Sequence, residues 1–130
     1  MRSIDTNVLA RWVMRDDPGQ TKIADRIIDQ PIEITHTVLL EVGWILTSIG
    51  RMSREQFADT VVRVLDLETA TIQRRMALRW AVDRYRAGAD WADVLHIVST
   101  DAGQSFATFD KALLKEAGAS TPVRVEVLSA

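Results

Sequence analysis

The chain of 130 residues contains no cysteine, which excludes disulfide bonds and thiolate metal sites. It also lacks an apolar run long enough to cross a membrane, because the longest, Val38 to Leu46, is interrupted by Glu41. The N-terminus does not resemble a signal peptide, since Arg2 and Asp5 introduce charge almost at once. We therefore expect a cytoplasmic protein that is not associated with a membrane.

Internal repeats, low-complexity tracts and linker-like stretches are also absent, so we expect a single domain over residues 1–130. The content of 47% hydrophobic and 26% charged residues is ordinary for a globular protein. A net charge of −2 is not typical of a general nucleic-acid binder. The charge is not decisive, because all but three of the 16 cationic residues are arginines, which suit phosphate contacts. A carboxylate-rich metal site would also lower the net charge.

Predicted strands and helices alternate along the chain. Apolar patterns predict strands at residues 2–4, 32–34, 105–108 and 123–127, with a further short strand around residues 65–67. The strand at 105–108 is predicted to be buried and the one at 123–127 to be an edge strand. Helical spacing predicts, among others, a long helix from Thr35 to Ile49 that Gly50 ends, and a helix at 72–86. This order predicts an α/β fold in which helices cover both faces of a parallel sheet.

Glu41 lies in the segment Val38 to Leu46, which is apolar almost all round. A helix of this kind is expected to be largely buried. An unpaired carboxylate inside it would be costly, so Glu41 should be neutralised, paired or bound to a cation. An ion pair with an arginine and a metal site both remain open at this point.

Asp93 lies in a similar apolar segment, between Trp91 and Val98. Asp90 and Asp93 are three residues apart at a predicted helix start, which is the spacing of a capping box. Helix capping is therefore as good an explanation for Asp93 as metal ligation is. Asp90 is better explained as the helix cap than as a ligand.

Asp5 and Asp110 each follow a predicted strand and precede a predicted helix. Each could be a helix N-cap, a position that favours aspartate. Open parallel sheets, however, bind ligands beyond the carboxyl ends of their strands. One pocket formed by Asp5, Glu41, Asp93 and Asp110 is a better explanation than four separate capping coincidences.

An acidic pocket in a chain with no cysteine and two histidines favours a hard, oxygen-preferring cation. We therefore expect Mg²⁺ or Mn²⁺ and not zinc. Such ions activate water and stabilise charge during displacement at a phosphodiester.

At these residues the chain resembles the PIN-domain nucleases, and among them the VapC-like toxins of bacterial toxin–antitoxin pairs. The motifs that carry the resemblance occur in the family's order from residue 2 to the end of the chain. They are Asp5-Thr6-Asn7-Val8-Leu9, Leu39 to Leu46 around Glu41, Gly88 to His96 around Asp93, and Thr108-Phe109-Asp110-Lys111.

The resemblance implies a three-layer α/β/α fold with a central, mainly parallel sheet, and an endoribonuclease that depends on Mg²⁺ or Mn²⁺. It also implies a homodimer, an RNA substrate and inhibition by a small cognate VapB-like antitoxin. It further implies that Asp5, Glu41, Asp93 and Asp110 are the catalytic acids and metal ligands. Asp90 would be auxiliary, and Thr6, Asn7 and Thr108 would be supporting polar groups.

Two other functions fit the same residues. One is a PIN-type nuclease of RNA processing or DNA repair with no toxin–antitoxin role, and the other is a non-catalytic PIN-like binding module. For a nuclease, RNA contacts would fall to cations near the pocket, although most such side chains on helices are simply solvated. The candidates are Arg11, Arg15, Arg51 and Lys111.

Overall fold

The computed structural model describes residues 1–130 as seven α-helices and five short strands. The chain forms two compact units, Met1–Gln73 and Arg74–Ala130. No helix combines the length and apolar character needed to span a membrane. In chain order the elements of the first unit are β1 (Arg2–Ser3), α1 (Thr6–Met14), α2 (Pro18–Ile28), β2 (Ile32–Glu33), α3 (His36–Trp44), α4 (Arg54–Leu65) and β3 (Ala70–Thr71).

The first unit contains a three-stranded parallel sheet in the order β1-β2-β3. Ser3 pairs with Glu33, and Glu33 pairs with Thr71, so the three strands end at the same level. Ile32 and Ile34 are fully buried along the central strand. The sheet therefore presents the carboxyl ends of its strands along one edge.

Side-chain caps start the helices of the first unit. The side chains of Asp5, Asp17 and Thr35 each accept a hydrogen bond from the backbone amide three residues later. Ser53 and Gln56 form a complete capping box at the start of α4. The segment Ser53-Arg54-Glu55-Gln56 has N-cap chemistry in the sequence, and the structure confirms the cap at Ser53.

The end of α3 is a wider helical turn. After Trp44 the helix continues as a π-helical turn from Ile45 to Ile49, and the Gly50 amide donates to the Ile45 carbonyl at 3.0 Å. A Cβ at Gly50 would lie 2.7 Å from the Leu46 carbonyl oxygen, so only glycine fits this close approach. The predicted helical extent through Ile49 is confirmed, with a change of helix type in its last turn.

The second unit consists of α5 (Arg75–Arg86), α6 (Trp91–Val98), β4 (Phe106–Thr108), α7 (Lys111–Ala117) and β5 (Val125–Val127). Strands β4 and β5 pair in parallel. The core of this unit is apolar, and it contains Ile97, Leu113, Ala117 and Val125, with Trp80, Phe106 and Val123 packed against it.

Arg84 on α5 fixes the C-terminal end of α7. Its Nε donates to the Glu116 carbonyl at 2.7 Å and its Nη2 to the Lys115 carbonyl at 3.4 Å. These carbonyls belong to the last turn of α7, where a cation is favoured. Gly118 has a φ of 74°, and a Cβ there would lie 3.0 Å from Arg84 Cζ. The guanidinium and the glycine therefore end the helix together.

The predicted α/β class with parallel strand pairing is confirmed, but three local predictions are wrong. Residues 65–67 form no strand, because Leu65 is the buried end of α4 and Leu67 lies in the turn after it; the strand is Ala70–Thr71. The helix predicted from residue 72 begins at Arg75. Strand β4 is not buried, since Phe106 and Thr108 are half-buried and Ala107 is exposed.

Candidate metal centre

The predicted acids are divided between the units: Asp5 and Glu41 belong to the first, and Asp93 and Asp110 to the second. Asp5 lies two residues beyond β1, and the strand register puts Thr35 and Gln73 at the corresponding positions beyond β2 and β3. Asp5 Oδ1 accepts a hydrogen bond from the Val8 amide at 3.0 Å. The predicted strand-end position is confirmed, and so is the capping role.

Asp5 also lines a groove between α1 and α2 with a volume of about 240 Å³, together with Asn7 and Arg11. Thr6 is buried, with 8% of its surface exposed, whereas Asn7 is exposed beside Asp5. Asn7 is therefore placed to contact a ligand of Asp5, and Thr6 is part of the packing. The supporting roles of both remain predictions.

Glu41 is exposed, so the prediction that it lies in a buried helix is wrong. The buried face of α3 consists of Val38, Leu39, Val42 and Gly43. Glu41 lies on the opposite face with Trp44, whose side chain is 65% exposed. The segment looks apolar all round because a tryptophan occupies a solvent-facing position. Burial therefore does not explain Glu41, and its role as a ligand remains a prediction.

Four carboxyl groups of the second unit form an acidic cluster, which consists of Asp90, Asp93, Asp110 and Glu116. Asp90 is the N-cap of α6, where its Oδ2 accepts from the Asp93 amide at 3.1 Å. Asp110 is the N-cap of α7, where its Oδ1 accepts from the Ala112 amide at 2.9 Å. Two of the four carboxyls are thus held at helix N-termini.

Two members of the cluster, Asp93 and Glu116, have raised pKa values. Burial is the main cause that raises the pKa of Asp93, and the charges of Asp90 and Asp110 add to it. Burial also raises the pKa of Glu116, followed by the charges of Asp93, Asp110 and Asp90. His96 lowers the pKa of Asp93, but it is the smallest of the contributions. Burial and the neighbouring carboxylates therefore disfavour ionisation of Asp93 and Glu116.

A side-chain hydrogen bond between Glu116 and Asp93 also contributes: it raises the pKa of Glu116 and lowers the pKa of Asp93. The Glu116 Oε2 atom is buried and has no hydrogen-bond partner. No lysine or arginine forms an ion pair with any member of the acidic cluster. The cluster thus contains mutually repelling carboxyls without a compensating cation.

This donor set fits a divalent oxygen-preferring cation, which would neutralise the carboxyls and give Glu116 Oε2 a partner. As the side chains stand, no group of three or more His, Asp or Glu residues has the arrangement of a metal site. Ligation by this cluster would therefore require its side chains to move.

Glu116 is the residue that the sequence interpretation missed. It lies on α7 between the buried residues Leu113 and Ala117, three positions after the first and one before the second. A carboxylate at helical spacing with buried apolar residues is the signal that could have identified it. Thr108 Oγ1 accepts a hydrogen bond from the Asp110 amide at 3.0 Å, and its supporting role remains a prediction.

Two of the four candidate RNA-contacting cations are already engaged within the protein. Arg11 binds Asp16 and Gln20, and Arg15 forms a bidentate pair with Asp25. Arg51 and Lys111 are exposed and have no ion-pair partner. These last two are therefore the candidates that remain.

The family model for the PIN domain matches residues 3–119 and thus extends across both units. PIN domains are generally metal-dependent nucleases, and they typically bind Mg²⁺ or Mn²⁺. Neither the curated proteins nor the solved structures gave a match. The PIN-domain resemblance predicted from the motifs is confirmed, and the PIN-like α/β fold class with it.

Proposed function

Because the chain belongs to the PIN-domain family, we propose that it is a metal-dependent endoribonuclease and the toxin of a toxin–antitoxin pair. The observation that carries the proposal is the acidic cluster, which forms no ion pair and in which the pKa values of Asp93 and Glu116 are raised. Such a cluster supports binding of Mg²⁺ or Mn²⁺. Bound there, the ion supplies an activated water and positive charge for the scissile phosphate.

The proposed ligands of the second unit are Asp93, Asp110 and Glu116, with Asp90 as an auxiliary acid. Asp90 and Asp110 each use one oxygen for capping, so the cap orients the carboxyl and leaves its second oxygen for ligation. Thr108 holds the backbone turn that precedes Asp110. These residues therefore position carboxylates by means of the backbone rather than by long flexible chains.

Asp5 and Glu41 are proposed as the catalytic acids of the first unit, and the family motifs carry this assignment. Asp5 is oriented by its cap to α1 in the same way as Asp110 is oriented by its cap to α7. Glu41 has no ion-pair or hydrogen-bond partner that would compete with a ligand role. Both carboxylates are exposed and accessible to RNA.

The nuclease proposal is tested by incubating structured RNA with the purified protein in Mg²⁺, in Mn²⁺ and in EDTA. We expect endonucleolytic cleavage with either ion, none with EDTA, and none with Asp93→Asn. Asp29→Asn, which changes an exposed aspartate at the end of α2, is the matched control and should remain active. Cleavage that resists EDTA or persists in Asp93→Asn would contradict the proposal.

The toxin role, the VapB-like antitoxin, the homodimer and the cytoplasmic location are proposals that follow from the VapC-like motifs. Expression of the chain should arrest growth, and co-expression of a small protein encoded by the neighbouring gene should relieve the arrest. Cleavage without such relief would contradict the toxin role and leave a nuclease of RNA processing. Sequencing the cleaved ends after brief expression, beside Asp93→Asn, would identify the RNA.

A further inference from the structure

Trp44, the last residue of α3, is the one strongly exposed tryptophan, and no ring contact or cation engages it. Trp12 lies beneath the Arg63 guanidinium, which is 5.2 Å from its ring centroid. Trp80 packs against the core of the second unit, and Trp91 is buried against a tyrosine ring. Trp44 instead keeps 65% of its surface exposed. Folding therefore uses the other three rings and leaves this one at the surface.

The exposed ring shares a cavity with a predicted catalytic acid. Glu41, Trp44 and Ile45 line an open cavity of about 240 Å³. Glu41 precedes Trp44 by three residues, which places the two side chains on the same face of the helix. A substrate strand that reaches Glu41 would therefore pass the indole ring.

Arg51 lies two residues after the π-helical turn Ile45–Ile49, which continues α3. The amides of Gly50 and Met52 donate to the carbonyls of Ile45 and Leu46 at 3.0 and 2.9 Å. These two bonds hold the backbone on both sides of Arg51 against the turn that follows Trp44. The backbone at Arg51 is thus anchored to the turn that continues α3.

Arg51 also differs from two arginines that share its backbone conformation. Arg15, Arg51 and Arg74 are the three non-glycine residues with a positive φ. Arg15 forms a bidentate ion pair, and Arg74 donates to the Val98 carbonyl at 2.6 Å. The Arg51 guanidinium is exposed and has no partner within the protein. Its charge is therefore available to a ligand.

We propose that Trp44 and Arg51 form a binding site for single-stranded RNA, with a base stacked on the indole and a backbone phosphate at the guanidinium. Exposed aromatic rings are the usual platform for unpaired bases, and arginine is suited to phosphate. The choice of RNA rests on the proposed nuclease function. The site would hold the substrate strand beside Glu41.

The extent of this face argues against a second protein chain as its occupant. Trp44 and Ile49 are its strongly exposed apolar side chains, each 65% exposed. Together they offer at most roughly 300 Å², whereas a stable interface buries about 800 Å² on each partner. A carboxylate, Glu41, also lines the cavity, and charged residues are depleted at the centre of protein interfaces.

Tryptophan fluorescence tests the stacking contact directly. The Asp5→Asn variant, which is expected not to cleave, is titrated with a short oligouridylate in Mg²⁺. We expect saturable quenching, because a stacked base quenches the exposed indole. Adding Trp44→Phe should abolish the quenching, whereas Trp12→Phe, the matched control, should retain it.

Affinity measurements separate the two contacts. Trp44→Leu keeps an apolar side chain without a ring, and it should weaken oligouridylate binding about tenfold. Arg51→Gln should weaken binding and lower the slope of log affinity against log salt by about 1. Arg26→Gln, at an exposed arginine on α2, should change neither quantity.

Unchanged affinity in both Trp44→Leu and Arg51→Gln would overturn the proposal. So would sedimentation showing that Trp44→Leu dissociates a dimer while RNA affinity stays intact, since the face would then bind a second copy. Binding through Trp44 by a native protein that never cleaves RNA would contradict the nuclease function alone. Cleavage by the native protein with unchanged binding in both Trp44→Leu and Arg51→Gln would contradict this proposal alone.

Discussion

Glu116→Gln should change metal-free stability and metal affinity in opposite directions. Glutamine keeps the length and shape of the side chain but removes its charge. The pKa of Glu116 is raised first by burial and then by the neighbouring carboxylates, so the folded protein disfavours its ionised form. The neutral side chain should therefore stabilise the metal-free protein. The lost charge is also one that would attract a divalent cation, so affinity for Mn²⁺ should fall.

Coulomb's law gives the size of the first effect. Two unit charges about 4 Å apart repel each other by about 1 kcal/mol in water, and more where solvent is excluded. Asp93 and Glu116 are only partly buried, so the estimate stays near the aqueous value. A gain of about 1 kcal/mol raises the Tm of a domain of this size by roughly 3–4 °C. For the second effect, loss of a supporting carboxylate typically costs about 10–100-fold in metal affinity.

Thermal unfolding in EDTA at neutral pH and calorimetric titration with Mn²⁺ measure the two effects. Glu68→Gln, at an exposed glutamate of the first unit, is the matched control and should change neither quantity appreciably. A lower Tm together with unchanged Mn²⁺ affinity in Glu116→Gln would refute the reasoning. Glu116 would then be only a hydrogen-bond partner of Asp93.

Three further predictions follow from the structure. The pKa values of Asp93 and Glu116 are raised above 3.8 and 4.5, so the folded protein binds these protons more tightly than the unfolded chain. Their contribution to the free energy of unfolding of the metal-free protein should be complete below these values. It should be lost as the pH rises through the raised pKa values, and urea unfolding at a series of pH values measures it. Asp5→Asn should stop RNA cleavage with little change in stability, because asparagine also caps helices. Asp5→Ala should stop cleavage and also lower the free energy of unfolding by about 1 kcal/mol. Activity in Asp5→Asn would contradict the assignment of Asp5 as a catalytic acid. Arg84→Met keeps the apolar stem but removes both hydrogen bonds to α7. It should lower the free energy of unfolding, measured in urea, by about 2 kcal/mol. An unchanged midpoint would show that the end of α7 is stable without the arginine.

Local chemistry made most of the fold predictable from the sequence. The caps at Asp5, Ser53 and Asp90 depend on side chains that bond the backbone within three residues, so a short window of sequence contains the whole interaction. The predicted strand at 65–67 is wrong because two leucines that flank an aspartate at a helix end have the same alternating pattern as a strand. The predicted burial of β4 is wrong because the burial of a strand depends on residues distant in the sequence, which a local pattern does not contain.

The site was predicted less completely than the fold. Glu41 was assigned to a buried helix because Trp44 and Ile49 are apolar, yet both face solvent. Composition alone therefore misjudged which face of α3 is buried. Glu116 was overlooked because no motif marks it, although its spacing from Leu113 and Ala117 placed it on the buried face of α7. Its interaction with Asp93 is tertiary and needs the packing of α6 and α7.

The sequence posed capping and metal ligation as alternatives for the strand-end aspartates, and the structure makes them compatible. Asp5 and Asp110 each give one oxygen to a helix N-terminus and leave the other free of hydrogen bonds. The cap fixes the rotamer, so the second oxygen is oriented without a further supporting residue. Capping needs only a hydrogen-bond acceptor, whereas ligation of a divalent cation needs the charge. Asparagine meets the first requirement and not the second. Replacing either aspartate with asparagine therefore separates the two roles, because it keeps the cap and removes the charge that a metal ligand needs.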